Sequence, residues 1–493
     1  MTETELKLQV PAARLRGVAA AVGTPAARTV RLQAVYVDSA DRALARAGIA
    51  LRLRREGPRW VQTLKALGAD RLQRLEHNVP REGGAAQPPA VDPALHAGTP
   101  AGERLAAVLR GLPPDALQPV LRTDIRRTRR ELRVRGGALE LALDRGRLLA
   151  GARALPVCEL EIELLRGRPA LVIAQARRWV GRHGLWLDLQ SKAERGERLA
   201  RGEAQAAAAM ARPPAYPAGA DLAAGRRAVL AACAEQVLDN ASAVASGVHG
   251  DEHVHQLRVG LRRLRSALRL FDGDRPDDPL AAGAAALFGR LGAARDQAAI
   301  AGPLHEELQR ALAALGLDLA APVLPAAPEA ASPAEVLRAP AAQALLLDLL
   351  QALQPGDAAP QPAALKPHLA GMLQRWHKQV AAQAPRFAEL DDEARHRLRK
   401  RVKRLRYAVE FAAPLFEGKK VRRYLQPLRL LQDRLGAFND VCVGLAGYRG
   451  AAGSDAASAF ALGWLAARRE QRLADCAPAL LALADAKRFW KKP

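Results

Sequence analysis

The sequence predicts an α+β chain in which a strand-built N-terminal domain precedes an all-α domain. Three observations carry this reading. Residues 1–202 contain short segments of alternating apolar and polar residues, the period of a strand with one apolar face. Residues 203–224, with a run of alanines at 206–209 and prolines at 213, 214 and 217, read as a linker. From 225 to 493 the apolar period is helical, and that stretch contains an internal repeat.

A chain of 493 residues has length for two or three domains with cores of their own. Its 49% apolar content excludes disorder as the default state. Aromatics make up only 4%, while Ala, Leu and Arg dominate, which favours helices. A formal charge of +24 exceeds what solubility requires and points to a polyanionic partner: nucleic acid, anionic lipid or polyphosphate. Cys158, Cys233, Cys442 and Cys476 are scattered without a CxxC, which implies a reducing compartment rather than a disulfide frame. The first five residues are acidic and unlike a signal peptide. No run approaches the roughly 18 apolar residues of a membrane span, so a cytoplasmic location is expected.

Within residues 1–202 the charged strand faces follow in order. In Glu3-Thr4-Glu5-Leu6-Lys7-Leu8, Glu3, Glu5 and Lys7 share one face, and Leu6 and Leu8 the other. Residues 50–54 put Arg52 and Arg54 together, residues 60–65 bring Lys65, and the next strand adds Arg74 and Glu76. Near 126–133, Arg126, Arg127, Arg129 and Arg130 lie on alternate faces. Arg127 and Arg129 are assigned to the charged face because Leu132 and Val134 then take the packing side. Residues 139–144 supply Glu140 and Asp144, residues 158–164 align Glu159, Glu161 and Glu163, and Lys192 completes the basic set. Helical stretches near 101–111 and 169–183 interrupt the strands.

A single charged strand face is ordinarily just solvated. Several change the balance, because like charges on neighbouring strands repel. An acidic strip then needs cations, a basic strip needs anions, and a closed barrel with these faces inward supplies both. Carboxylates hold hard divalent cations, and Mg²⁺ favours a few carboxylates plus substrate phosphates. Arginine and lysine clamp a phosphate chain. The combination suits metal-assisted hydrolysis.

The ExExK strand at Glu3, Glu5 and Lys7 resembles the signature of the CYTH, or triphosphate tunnel metalloenzyme, superfamily. Later elements resemble it in the same order: Tyr36-Val37-Asp38, Leu51-Arg52-Leu53-Arg54, Thr63-Leu64-Lys65, Arg74-Leu75-Glu76, Leu143-Asp144-Arg145-Gly146, residues 159–164, and Ser191-Lys192-Ala193-Glu194-Arg195-Gly196. The resemblance implies an eight-stranded antiparallel barrel around a tunnel in which triphosphate is cleaved with Mg²⁺ or Mn²⁺. It implies Glu3, Glu5, Glu159, Glu161, Glu163 and Asp144 as metal ligands. Arg52, Arg54, Lys65, Arg74, Arg127, Arg129 and Lys192 would hold triphosphate. Lys7 would place the chain or the attacking water, and Glu76, like Asp144, would orient basic residues or bind a second metal.

In the helical region, His255-x-Leu257-Arg258 and Leu261-Arg262-Arg263-Leu264-Arg265 recur as His396-x-Leu398-Arg399 and Val402-Lys403-Arg404-Leu405-Arg406. The segment ending at Asp296 recurs as the one ending at Asp440. The copies span about 225–318 and 341–493, with the Pro/Ala-rich stretch 319–340 read as the loop between them. On a helix His255, Arg258, Arg262, Arg265 and Arg269 fall within an arc of about 80°, separate from the stripe Leu257, Leu261, Leu264 and Leu268. His396, Arg399, Lys403 and Arg406 repeat the stripe, which Glu410 ends; residues 395–407 contain no acid. Charged helix faces usually just meet solvent, but unmixed basic faces at matching places in two repeats suit an extended polyanion. His253 and His255 form an HxH without a third nearby ligand, so no metal site is read there.

This repeat resembles the CHAD domain. The resemblance implies two pseudo-symmetric four-helix bundles with a basic cleft that binds inorganic polyphosphate. It makes His255, Arg258, Arg262, Arg265, Arg269, His396, Arg399, Lys403 and Arg406 the expected polyphosphate ligands. Ser266 stands where the second copy has Tyr407, so the halves are expected to differ in affinity. The leading expectation is an inorganic triphosphatase with a polyphosphate-binding domain, in the cytoplasm and with polyphosphate granules as a location. Alternatives are a CYTH adenylyl cyclase or thiamine triphosphatase, and a non-catalytic polyphosphate binder. A nucleic-acid binder rests on charge alone, since no RRM, KH, helix-turn-helix or zinc pattern appears and aromatics are too sparse for base stacking.

Overall fold

The computed structural model describes residues 2–68, 72–84, 88–273, 275, 277–322, 331–354, 364–451 and 456–491, with the backbone alone described for 293–301 and 450–451. Eight strands carry the N-terminal fold: β1 (Thr2–Gln9), β2 (Arg28–Asp38), β3 (Ile49–Glu56), β4 (Arg59–Leu67), β5 (Gln73–Arg81), β6 (Gln118–Val134), β7 (Gly137–Ala150) and β8 (Arg153–Arg166). All neighbours are antiparallel, in the order β5-β4-β3-β2-β6-β7-β8-β1, and β5 pairs back onto β1. The sheet is therefore closed into a barrel. A two-residue strand, β9 (Trp186–Leu187), adds to the end of β1.

Period-two alternation explains why these segments close. Leu6, Leu8, Leu139, Leu141, Leu143, Leu160 and Ile162 point to the outer side and are almost fully buried, each contributing about 1.5–3 kcal/mol. They are covered by α1 (Leu15–Val22) and by α4 (Ala170–His183), which buries Val172, Ile173, Ala176, Trp179 and Val180. The short α2 (Ala43–Arg46) and α3 (Pro100–Leu109) pack near β3 and β4, and α5 (Lys192–Arg201) plugs one end of the barrel against β6, β7 and β8. The β6–β7 turn uses Gly136 at φ +87°, a conformation that suits glycine.

The remaining helices are α6 (Leu222–Ser246), α7 (Asp251–Asp272), α8 (Pro279–Arg290), α9 (Ala293–Ala314), α10 (Pro333–Arg338), α11 (Pro340–Leu353), α12 (Leu365–Ala381), α13 (Asp392–Ala412), α14 (Gly418–Ala451) and α15 (Ala456–Ala484). The stretch 319–340, expected to be a loop, contains α10: Pro333 starts it and Val336 and Leu337 are buried. Residues 323–330 lie outside the described residues. The linker segment 203–221 has neither helix nor extended strand.

The chain forms two compact units that are not contiguous in sequence. One comprises 1–210, 234–257 and 333–356, and the other 211–233, 258–332 and 357–493. In the first, α11 joins the barrel side: Arg177 pairs with Asp348 at 2.7 Å, and the Gln343 side chain accepts from the Leu187 backbone N–H at 2.7 Å. In the second, α13 buries Leu398, Val402, Leu405 and Val409, one stripe at helical spacing. Asp391 caps its N-terminus, followed by Asp392 and Glu393 in the first turn, where acids are favourable. Among the described residues no helix is long and apolar enough to cross a membrane, and all four cysteines are free thiols.

Candidate active site

Strand register decides what meets inside the barrel. Glu5 lies opposite Glu163, Lys7 opposite Glu161 and Gln9 opposite Glu159. On the far side of β8, Glu163 lies opposite Glu140, and Glu159 opposite Asp144. Arg127 faces Asp144 across β6 and β7. Around the other wall, Tyr36 opposes Arg52, Lys65 opposes Glu76, and Glu3 opposes Arg74. Opposed residues share a face, so all the tunnel residues expected from sequence project to one interior. This includes Arg127 and Arg129, whereas Arg130 turns outward and donates to the Ala21 carbonyl.

At one end lies a buried acidic triad. Asp144, Glu159 and Glu161 present oxygens within 4.8 Å of one another. Lys192 enters this triad from the first turn of α5. A capping box between Ser191 and Glu194 fixes that helix start. Its ammonium sits 2.7 Å from Asp144 and 2.8 Å from Glu161 and also pairs with Glu159. Arg127 grips Asp144 through two 2.7 Å bonds and reaches Glu161. Arg195 pairs with Glu159. Burial opposes ionisation of Glu161, but Lys192, Arg127 and Lys7 outweigh it and hold the carboxyl well below its usual range. Asp144 is lowered likewise by Arg127 and Lys192 against burial.

The middle of the barrel is richer in acid. Lys65 bonds Glu3 at 2.5 Å and Glu76 at 3.1 Å, and Lys7 pairs with Glu5. Glu3 is nonetheless pushed up to about 8, by burial and then by Glu5 and Glu76, with Lys65 opposing. Burial pushes Glu163 up to about 7, with Glu140, Glu5 and Glu76 adding to it against Lys65. Glu76 goes the other way, to about 2: Lys65, a bond from Glu3, and Arg52 overcome its burial. Glu5 also stays low against burial, through Lys7 and Lys65.

A basic wall completes the tunnel. Arg52 donates to the Tyr36 hydroxyl at 3.0 Å and Arg54 pairs with Glu56. Each leaves its Nε–H buried without an acceptor among the described residues. Arg54 falls to about 10, first through burial and then through Arg52 and Arg127. Arg129 lies 3.4 Å from Glu140, half exposed. Much of the charge is neutralised across the barrel, as expected where acidic and basic strips both face inward.

Two interior residues were given no role by the sequence. Arg195 clamps Glu159, and the Tyr36 hydroxyl accepts from Arg52. Both lay within segments noted for other residues, and only the tertiary arrangement reveals their partners.

In the helical region, the basic stripes are unequal. Arg258 is buried and stacks on Phe288 at 4.7 Å, with Arg262 at 5.5 Å from the same ring, while His255, Arg265 and Arg269 are exposed. In the second stripe His396 bonds Asn439 at 3.0 Å. Arg406 is engaged by Glu410 at 2.5 Å and by Gln432, so Glu410 neutralises the last cation of the stripe. Lys403 falls to about 7 through burial, then Arg399 and Arg262, which Asp440 only partly offsets. Arg262 and Lys403 thus bring the two stripes within electrostatic reach of one another. Ser266 bonds its own helix at the Arg262 carbonyl, whereas Tyr407 is buried beneath Arg406.

A family model of the CYTH domain matches residues 1–196, and one of the CHAD domain matches 228–447. The chain is a CYTH domain followed by a CHAD domain. The inorganic triphosphatase of Haemophilus influenzae is 28% identical over 166 residues, 33% of this chain and 44% of that protein. The chain thus spans less than half of that curated relative. The solved CHAD domain from the plant Ricinus communis is 30% identical, covering 58% of this chain and 99% of that one, with a TM-score of 0.46. A Hippeastrum protein, described as a candidate adenylyl cyclase with a dominant triphosphatase activity, is 18% identical over 41% of this chain and 96% of its own, with a TM-score of 0.28. CYTH domains are metal-dependent, and this one holds a buried acidic triad.

Proposed function

We propose that the CYTH barrel hydrolyses inorganic triphosphate and that the CHAD domain binds inorganic polyphosphate. One observation carries the first half: half-buried Arg52 and Arg54 each keep a buried Nε–H without an acceptor among the described residues, in the same barrel interior as a cross-strand carboxylate row of Glu5, Glu163 and Glu140. Unsatisfied buried donors cost about 1–3 kcal/mol, and phosphate oxygens are the acceptors that guanidinium forks fit.

The carboxylates supply hard oxygen donors suited to Mg²⁺ or Mn²⁺. Among the described residues Asp144, Glu159 and Glu161 bring their oxygens within 4.8 Å of one another, but Lys192, Arg127 and Arg195 already pair with them. Glu3 and Glu5, each paired with one lysine, together with Glu163 are the set with more negative charge left for a cation. When bound, the ion would offset charge that develops on the phosphoryl oxygens. The chain's own residues have separable tasks. Arg52, Arg54, Lys65, Arg74, Arg127 and Arg129 hold phosphate oxygens along the tunnel. Lys192 closes the α5 end, with Asp144, Glu159 and Glu161 orienting it. Lys7, tied to Glu5, places the terminal phosphate or the attacking water, and Glu76 holds Lys65 in line.

For the CHAD domain, the support is the electrostatic coupling of Arg262 to Lys403, which concentrates charge from both repeats where Arg399, Arg262 and Arg406 act on Lys403 against Asp440. The deciding experiment compares phosphate release from triphosphate, ATP and long-chain polyphosphate, with and without Mg²⁺ or Mn²⁺. Divalent-dependent release from triphosphate above the other two is expected. Preferential cyclisation of ATP, or no release from any of them, overturns the reading.

A further inference from the structure

The outer wall of the barrel carries a second concentration of positive charge. Where β2, β6 and β7 run side by side, Arg31 lies opposite Arg126, and Arg126 opposite Arg145. These positions alternate with the tunnel-facing Arg127 and Asp144, so they face outward. Directly opposed side chains have Cβ atoms about 4.5–5.5 Å apart, and like charges at that spacing destabilise the pair. Cys158 is the next residue in the row, on β8, so no carboxylate interrupts it. One row away, Asp124 opposes Arg147.

These side chains line an open surface cavity of about 470 Å³, together with Thr29, Val30 and Gly146. Four arginines against one aspartate leave a net charge of +3 there. Asp124 is already committed to Arg31 through two 2.8 Å bonds. Arg126 and Arg145 make no hydrogen bond or ion pair among the described residues. Gly146 lets β7 approach β6 closely at this point: a Cβ there would lie 2.0 Å from the Asp124 carbonyl oxygen.

We propose that this cavity is an anion site that binds a short inorganic phosphate chain, held chiefly by Arg126 and Arg145, with Arg147 and the Thr29 hydroxyl at its rim. The arginine row explains the anion: bound phosphate removes the repulsion between Arg126 and Arg145, which Asp124, bonded to Arg31, does not pair with. The lining explains the simplicity of the ligand. It contains no aromatic ring on which a base or sugar stacks, and its polar side chains are four arginines, one hydroxyl and the Asp124 carboxylate already held by Arg31, a set whose remaining donors suit phosphate oxygens. The choice of phosphate over another anion rests on the triphosphate reading of the tunnel. Arg126 and Arg127 are adjacent on β6, so one strand serves the outer site with one residue and the tunnel with the next. Such a site raises the local concentration of polyanion at the barrel.

The test is isothermal titration of the full chain with inorganic triphosphate in EDTA, comparing the wild type with Arg126→Ala/Arg145→Ala. The number of triphosphates bound should fall by one in the variant. Its kcat and KM for triphosphate with Mg²⁺ should stay within about twofold, since neither residue faces the tunnel. Triphosphate should also raise the melting temperature of the wild type more than that of the variant. A second arm titrates long-chain polyphosphate with and without saturating triphosphate. Competition for the variant-sensitive sites identifies polymer as an alternative source of the same phosphate groups. Unchanged stoichiometry for triphosphate overturns the proposal, as does a loss confined to an RNA oligomer or an acidic peptide. A wild type that fails to hydrolyse triphosphate, yet loses one bound equivalent on mutation, defeats the tunnel reading and leaves this site standing.

Discussion

Replacing Lys192 by Met tests whether the α5 end of the tunnel is an electrostatic lock. The lysine is 10% exposed, and its ammonium lies within 2.8 Å of both Asp144 and Glu161 while also pairing with Glu159. Methionine keeps the length of the stem but removes the charge. Three carboxylates within 4.8 Å of one another then share two remaining cations, Arg127 and Arg195. Removing one partner of a buried ion pair costs about 3–5 kcal/mol. Because two cations remain, the lower figure applies, and for a domain of this size about 3 kcal/mol lowers the melting temperature by about 6–12 °C. The pH dependence has a definite sign. Asp144 and Glu161 are held below their usual range in the wild type, so their stabilisation is present at neutral pH and disappears as pH falls through the folded values. The variant's carboxyls titrate higher and take up protons sooner. The gap between the proteins therefore narrows as pH falls through the carboxylate range. Calorimetry at pH 7 and at stepwise lower pH reads both effects, and triphosphate turnover below the variant's melting temperature reads the functional one. A variant that melts within about 1 °C of wild type at pH 7 would refute the lock.

Other expectations follow from the same geometry. Glu5→Gln should abolish divalent-dependent release of phosphate from triphosphate; unchanged turnover at saturating Mg²⁺ in the folded variant removes Glu5 from the metal set. Arg52→Ala/Arg54→Ala should lower kcat/KM for triphosphate about 10- to 100-fold, mainly through KM, as expected for charge-assisted hydrogen bonds of about 1.5–3 kcal/mol; wild-type constants would return both residues to structural roles. Arg399→Ala/Lys403→Ala/Arg406→Ala should weaken long-polyphosphate binding more than Arg258→Ala/Arg262→Ala/Arg265→Ala, because Phe288 already holds Arg258 and Arg262; fluorescence titration across a salt series decides the order. Lys403 loses its proton near pH 7, so affinity should fall as pH rises from 6 to 8, by at most about tenfold per unit for one linked proton. Lys403→Arg should flatten that component, and an identical pH profile in the variant would remove Lys403 from the binding linkage.

Most strands of the barrel were legible because each buries one complete face. The alternation in Glu3 to Leu8 or Leu139 to Asp144 is enforced by the cost of exposing leucines, and it also fixes which charges face inward. That logic separates Arg127 and Arg129 from Arg126 and Arg130 with nothing but the positions of Leu132 and Val134. It does not reveal which inward residue meets which. The pairing of Arg195 with Glu159, and of Arg52 with Tyr36, depends on barrel closure, a property of register between strands far apart in the chain. Lys192 was legible as a cation but not as the first residue of a capped helix, because a capping box and a charged strand face look alike over four residues. The helix at Pro333–Arg338 was hidden by its alanines and prolines, although Pro at the first helical position is a favourable start. The grouping of residues 234–257 and 333–356 with the barrel unit left no local sign, since the contacts that make it are long-range.

The distribution of charge inside the barrel argues for a direction as well as a ligand. At the α5 end, Asp144, Glu159 and Glu161 are matched by Lys192, Arg127 and Arg195. In the middle, Glu3, Glu5, Glu76, Glu140 and Glu163 meet Lys65 and Lys7, with Arg129 a distant partner for Glu140. Burial raises Glu3 and Glu163 first, and the neighbouring carboxylates Glu5, Glu76 and Glu140 add to it. Arg52 and Arg54 have Tyr36 and Glu56 for partners, and Arg54 is lowered first by burial and then by Arg52 and Arg127. A divalent cation and a phosphate chain entering together would correct both imbalances at once, the cation against the glutamates and the phosphates against the arginines. Either alone corrects one and leaves the other. Binding of triphosphate and of metal should therefore be mutually reinforcing, each raising the affinity of the other by the same factor, as linkage requires. Titrating triphosphate into the Glu5→Gln protein, with and without Mg²⁺, measures that factor: it should shrink toward one in the variant, and a factor equal to that of wild type would show that Glu5 has no part in coupling the two ligands.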